Sequence, residues 1–306
     1  MKFSIYQESQ TGARPYNQDR VGYVFSRDAL FMIVADGMGG HAQGEVAAQI
    51  TVDTIGKRFQ REARPALASP LSFLGDAINA AHHAILAHAE QHQLLETPRT
   101  TVVAAIIQKG AACWAHVGDS RAYLLRDRHA LAQTLDHSHV QQLLSQGLIK
   151  PEAAATHPER NKIYNCLGAH VPPKIALSQK HALRAGDTLL LCSDGLWGPL
   201  APTLLTSAFS RDPLAKVIPA LIGQAVKNAG READNVTALA MTWADDDGGA
   251  SADGGVSTLT MPADAFNSQI DMTAATEADL SDDDIEKAIS EIRSALAKSN
   301  RPPPGG

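Results

Sequence analysis

Phe31-Met32-Ile33-Val34-Ala35-Asp36-Gly37-Met38-Gly39-Gly40-His41 is a run of apolar, partly β-branched residues that stops at a carboxylate and gives way to a glycine-rich turn. The pattern predicts a buried strand that carries Asp36 to its end, then a loop whose backbone can approach a ligand or ion closely. A buried carboxylate without a partner is costly, so Asp36 needs a helix N-terminus, an arginine or a hard cation. The same strand-then-acid pattern recurs at Ala112–Asp119 and at Thr188–Asp194, while a fourth acid, Asp234, leads into the strand-like Val236-Thr237-Ala238-Leu239. Carboxylates so far apart in the chain meet only if their strands lie side by side. Converging carboxylates repel unless cations sit among them, and oxygen-only ligands select Mg²⁺, Mn²⁺ or Ca²⁺. A metal centre is the economical reading.

The 306 residues, 44% of them hydrophobic, suffice for one large domain or two smaller ones. Met1–Gln7 turns polar at once and no run is apolar enough to span a bilayer, so neither a signal peptide nor a membrane span is expected. Cys113, Cys166 and Cys192 are dispersed with no CxxC or CxxH spacing. Free thiols in a cytoplasmic protein fit them better than zinc ligands do. From Ala244 onward there are 13 acidic and 4 basic residues, against 20 acidic and 23 basic before it. A mildly basic body with an acidic tail lacks the basic stripe of a nucleic-acid binder.

Strands are expected over residues 2–9, 21–27, 30–35, 100–108, 111–117, 121–126, 187–193 and 236–243. Helices are expected over 44–59, 71–93, 139–149 and 213–229. Strands in antiparallel runs, with pairs of long helices between them, favour an α+β sandwich over a doubly wound sheet. The helix over 71–93 carries His82, His83, His88 and His92; without an HExxH motif this is expected to be a solvated histidine-rich face. Asp136 is expected to cap the helix that begins near His139. The polar stretch 150–168 is expected to be a surface lid.

Beyond Trp243 the composition becomes acidic and rich in Gly, Ser and Asp, and residues 244–280 are expected to be a disordered linker. Residues 281–299 then form an amphipathic helix, with Ser281 as N-cap, an acidic first turn, and an apolar stripe of Ile285, Ala288, Ile289, Ile292, Ala295 and Leu296. Such a helix needs a surface, either its own domain or a protein partner. Deletion of residues 244–306 is expected to leave the activity of the preceding domain intact.

Arg14-x-x-Asn17-Gln18-Asp19, Asp36-Gly37-Met38-Gly39-Gly40-His41, Thr100-Thr101, Gly118-Asp119-Ser120-Arg121, Asp136-His137-Ser138, Cys192-Ser193-Asp194-Gly195 and Asp234-Asn235-Val236-Thr237 occur in that order. Over residues 1–243 the chain thereby resembles the PPM family, the metal-dependent type-2C serine/threonine protein phosphatases, in its bacterial form. The resemblance implies a four-layer α/β/β/α sandwich, two antiparallel sheets flanked by helix pairs, with two Mn²⁺ or Mg²⁺ ions at one edge. It implies that Asp36 bridges both ions, that Gly37 lends its carbonyl, and that Asp194 and Asp234 hold one of the two. Asp119, with Asp194, matches the holder of a third, weaker ion. Arg14 matches the residue that grips the substrate phosphate, which suits a forked guanidinium. Gln18, Asp19 and Asn235 are expected around the metal waters rather than on the ions. Many members have Glu where Gln18 stands. Met38 takes the place of a proposed general-acid histidine, which leaves His41 as the candidate to protonate the leaving oxygen.

The expected activity is hydrolysis of phosphoserine and phosphothreonine in proteins by a metal-activated water, opposing a serine/threonine kinase. Residues 138–168 match the family's variable flap. The alternative from another class is a phosphoprotein-binding adaptor, a pseudophosphatase that acts through its C-terminal helix. The intact acids argue against it and Gln18 favours it.

Overall fold

The computed structural model describes residues 1–38, 43–154, 157–160, 162–209, 212–244, 255–259, 261–262 and 265–270. The glycine turn with His41 and the amphipathic stretch 281–299 lie outside the described residues.

In chain order the main elements begin with β1 (Lys2–Gln10), β2 (Asp19–Phe25), β3 (Ala29–Met38), α1 (Gly44–Glu62) and α2 (Pro70–Gln91). Next come β4 (Arg99–Thr100), β5 (Val102–Gln108), β6 (Ala111–Val117), β7 (Arg121–Arg126), β8 (His129–Gln133), α3 (His139–Ser145) and α4 (Pro151–Ala154). The rest are β9 (Ala176–Leu177), β10 (His181–Ala182), β11 (Thr188–Cys192), α5 (Asp194–Trp197), α6 (Pro202–Ser207), α7 (Leu214–Ala229), β12 (Val236–Ala244), β13 (Gly255–Ser257) and β14 (Asn267–Ser268). Among the described residues the strands form two antiparallel sheets, one ordered β13-β1-β12-β11-β7-β8 and the other β10-β6-β5-β3-β2-β14.

The two-residue period of each strand assigns its side chains to layers. On β3, Phe31, Ile33 and Ala35 face α1 and α2, where Val52, Ile55, Phe59, Leu74 and Ile78 meet them. Leu30, Met32 and Val34 face the other sheet, against Leu189, Leu191, Leu239 and Met241. That second sheet turns Leu190, Cys192, Ala238 and Ala240 outward onto α7, where Val217, Ile218, Leu221 and Ile222 cover them. Three apolar interfaces therefore separate four layers, helix, sheet, sheet and helix. Because the central strands are buried on both faces, they read as continuous apolar runs rather than alternating ones.

Part of the expected linker belongs to the fold. Residues 255–257 pair with β1, and Asn267–Ser268 pair with β2. Thr258 is fully buried, and its Oγ1 donates 2.6 Å to the Arg27 carbonyl. Ile270 is 9% exposed and fills a pit between β2 and α1. A Cβ on Gly22 would lie 2.5 Å from Ile270 Cγ1, and one on Gly56 would lie 2.6 Å from its Cδ1. Low hydrophobicity misled the linker reading, because short edge strands need few apolar residues when a prebuilt sheet supplies the rest.

Candidate metal centre and active site

Strand polarity decides which residues meet. β3 runs toward the edge from which β2 starts, and their register pairs Asp36 directly with Asp19. β6 ends at the same edge, Val117 opposite Val102, so the turn Gly118-Asp119-Ser120 lies there too. In the other sheet, β11 ends at Cys192 opposite Ala238, near the start of β12. Asp194, two residues past the end of β11, and Asp234, two residues before the start of β12, therefore lie at the same edge. Ser193 Oγ donates 2.8 Å to Asp19 Oδ2 and joins the two sheets at this edge.

Gly37 is required by space rather than by backbone dihedrals. A Cβ there would lie 2.3 Å from the Gly44 carbonyl oxygen, so any side chain would push α1 off the end of β3. Thr100 and Thr101, which could have been plain strand residues, fix the Asp36 backbone. Thr100 Oγ1 donates 2.8 Å to the Asp36 carbonyl, and the Thr101 amide donates 2.9 Å to the same oxygen. Thr101 Oγ1 and Ser120 Oγ, 2.7 Å apart, tie that position to the Asp119 turn.

The carboxylates feel one another strongly. Burial raises the Asp36 pKa well above the usual carboxylate range, and the charges of Asp19, Asp194, Asp119 and Asp234 add to the effect. Burial and then Asp194 raise Asp119 in the same way. Burial, with Asp234 and Asp19, pushes Asp194 up to about 7, and its carboxyl is in hydrogen-bond contact with Asp36. Asp19 rises to about 6, chiefly through burial, against opposing hydrogen bonds from Thr237 and Ser193. Its Oδ1 is buried with no hydrogen-bond partner. An all-oxygen, acidic set with an orphaned oxygen suits a hard divalent cation. Asp36, the Gly37 carbonyl, Asp194, Asp234 and Asp119 could hold one. Among the described residues, no three His, Cys, Asp or Glu side chains are already gathered round a single point. Like charges resist that gathering until a cation joins them.

Arg14 stands at the mouth of this edge with 58% of its side chain exposed, and its Nη2 donates 2.7 Å to Asp234 Oδ2. That hydrogen bond is the leading cause of its raised pKa. Asn235 Oδ1 accepts the Gln18 amide at 2.7 Å, and its Nδ2 donates to the Thr11 and Tyr16 carbonyls, which shapes the β1–β2 loop that carries Arg14. Gln18 itself donates 3.0 Å from Nε2 to Glu45 Oε2 at the start of α1. Glu45 was not expected at the site; its place in the first helical turn after the glycine loop was the available signal.

Two further expectations change. Ser138 caps α3, since its Oγ accepts the Gln141 amide at 3.2 Å. Asp136 is instead held by both arms of Arg121 at 2.8 Å, with the guanidinium 3.4 Å above the Trp197 ring. Trp197 Nε1 in turn donates 3.0 Å to the Asp119 carbonyl, so this buried cluster braces the Asp119 turn. His82 is not on a solvated face: it is 2% exposed and its Nδ1 accepts the Gly168 amide at 3.2 Å.

The description "Protein phosphatase 2C" belongs to the family model that matches residues 8–229. The chain belongs to the protein phosphatase 2C family. It is 37% identical to the serine/threonine protein phosphatase PstP of Mycobacterium tuberculosis over 77% of its own length and 44% of that protein. It is 35% identical to the serine/threonine phosphatase stp of Listeria monocytogenes over 74% of its length and 90% of that protein. The chain thus spans less than half the length of the mycobacterial relative but most of the Listeria one. Among solved structures, M. tuberculosis PstP/Ppp matches with a TM-score of 0.70 at 34% identity, covering 80% of this chain and 100% of that one. The PstP catalytic domain in complex with two manganese ions matches with a TM-score of 0.68 at 33% identity, covering 80% of this chain and 99% of that one. The two-sheet α+β sandwich expected from the sequence is therefore the family's fold. Among the described residues no helix is long and apolar enough to cross a membrane.

Proposed function

We propose that this chain hydrolyses phosphoserine and phosphothreonine in proteins with Mn²⁺ or Mg²⁺ as cofactor, and so reverses a serine/threonine kinase. The observation that carries the reading is the meeting of Asp36 and Asp119 from one sheet with Asp194 and Asp234 from the other, beside Arg14. Asp36, the Gly37 carbonyl, Asp194 and Asp234 would hold two ions, and Asp119 with Asp194 a third, weaker one. Ions bound there would supply an activated water and offset the charge of the phosphate. Arg14 offers its fork to two phosphate oxygens and exchanges part of its Asp234 contact for them. Asp19 Oδ1, buried and without a hydrogen-bond partner, would accept a hydrogen bond from a water on the ions. His41 protonates the leaving seryl or threonyl oxygen in this scheme.

The test is hydrolysis of p-nitrophenyl phosphate and of a phosphothreonine peptide with Mn²⁺, with Mg²⁺ and with EDTA, for the wild type, Asp36→Asn and Asp194→Asn. Metal-dependent turnover, lost in both variants, is the expected outcome. No turnover by folded protein saturated with Mn²⁺ would overturn the enzyme and leave the phosphoprotein-binding adaptor.

A further inference from the structure

The segment between α3 and β9 is joined to the acidic edge at two feet, and each foot rests on a histidine that accepts a hydrogen bond. At the first foot, the His137 amide donates 2.9 Å to the Gly118 carbonyl. The Gly118 amide donates back to His137 Nδ1 at 3.1 Å. The same Nδ1 lies 2.8 Å from Asn165 Nδ2, at the far end of the segment. Asn165 also clasps Lys174, donating 2.8 Å to its carbonyl and accepting its amide at 3.1 Å. The His137 ring is stacked on His116 at 4.7 Å, and His116 Nε2 is bonded to the Leu135 carbonyl at 2.8 Å, so the ring has little freedom to turn. At the second foot, Leu167 exchanges backbone bonds with Thr100, and the Gly168 amide is received by His82.

An imidazole nitrogen that receives two N–H donors carries no proton of its own. Burial, with His116 and Lys174 nearby, holds the His137 pKa down to about 4, in keeping with that role. Neither arrangement is needed to fold a sandwich of sheets. Together they fix the distance between the flap and the Gly118-Asp119 turn.

We propose that His137 is a positioning residue for polypeptide substrates: its Nδ1 pins both ends of residues 138–165 to the turn that carries Asp119, and so sets the wall against which the protein around a phosphoresidue is seated. The proposal rests on the phosphatase reading above. On that reading a phosphopeptide lies along the flap, whereas a small aryl phosphate has no polypeptide to seat there. Loss of the acceptor strands two donors, which costs about tenfold in any step that needs the flap in place.

The experiment compares wild type, His137→Phe, His137→Asn and Asn165→Ala on p-nitrophenyl phosphate and on a phosphothreonine peptide with saturating Mn²⁺, together with amide hydrogen exchange of each protein. His137→Phe keeps a ring over His116 and removes the acceptor; His137→Asn returns an oxygen near the Nδ1 position. For His137→Phe and Asn165→Ala the peptide KM is expected to rise about tenfold, with aryl phosphate kcat within about twofold of wild type. Faster exchange should be confined to the Gly118 turn and residues 162–174, and His137→Asn should recover most of the KM. Equal losses on both substrates in step with Tm would mean a purely structural residue and overturn the proposal. Unchanged peptide KM in both His137→Phe and Asn165→Ala would overturn it as well. If His137→Phe fails to fold, Asn165→Ala decides. A wild type without metal-dependent turnover would sink the phosphatase reading instead, and the exchange data would still report whether His137 pins the flap.

Discussion

Asp36 shows how a site residue can work against the fold that holds it. Its carboxyl is raised by burial and by four neighbouring acids, so in the metal-free protein its contribution to stability is present at low pH. That contribution is lost as pH rises through the folded value, because the unfolded chain ionises freely from about pH 4 upward. Asp194 behaves alike, and its window runs from the ordinary carboxylate range to about 7. Asp36→Asn should therefore raise the metal-free Tm at pH 7.5 by about 5 °C while turnover falls about a thousandfold, which calorimetry and a phosphatase assay would read together. His137 has the opposite sign. Its pKa near 4 lies below that of a free histidine, so the folded state loses stability as pH falls from about 6.5 toward 4. The stability difference between wild type and His137→Phe, measured by urea melts across that range, should shift against the wild type as the solution is acidified. A flat difference would mean that His137 is charged in the native protein.

Elements show what the sequence made legible. Buried strands such as β3, β5 and β11 were plain because burial on both faces leaves an uninterrupted apolar run that ends at a turn or an acid. From the recurring acids Asp36, Asp119, Asp194 and Asp234 a shared acidic edge could be expected before the strand order was known, because converging carboxylates call for cations among them. What could not be read were pairings between short polar pieces. Asp136 looked like a helix cap because it precedes α3, yet its partner Arg121 is fifteen positions back and meets it only once the sheet forms. Ile270 looked like part of a linker because its pocket is made of two absences, the missing side chains of Gly22 and Gly56. That pocket makes a test. Ile270→Ala should cost about 2–4 kcal/mol, or roughly 5–15 °C in Tm. A chain that ends at Gly254 should likewise melt below one that ends at Ile270, and equal melting would mean that the β13–β14 segment adds nothing to the fold.

At the scale of the whole molecule, the acidic edge is where two sheets that share an apolar interface bring like charges together. The interior is closed by Leu30, Met32, Leu189 and Leu239, but at the edge four carboxylates from both sheets face each other. Direct links there include Ser193 Oγ on Asp19 and Asn235 on the Gln18 amide. A divalent cation held by Asp36 from one sheet and Asp194 from the other would turn the mutual repulsion into a cross-link. An ion that binds the native state alone stabilises it by RT ln(1 + [L]/Kd), about 2.7 kcal/mol at a hundredfold excess over Kd. Mn²⁺ should accordingly raise the wild-type Tm by about 5–10 °C, with EDTA reversing the change. The shift should be larger at pH 7.5 than at pH 5.5, because protons compete for the same oxygens. Asp36→Asn should abolish the shift, and Asp234→Asn should reduce it, since Asp234 stands at the rim and shares its charge with Arg14. A wild-type Tm indifferent to Mn²⁺ would show that no ion binds the native state at this edge.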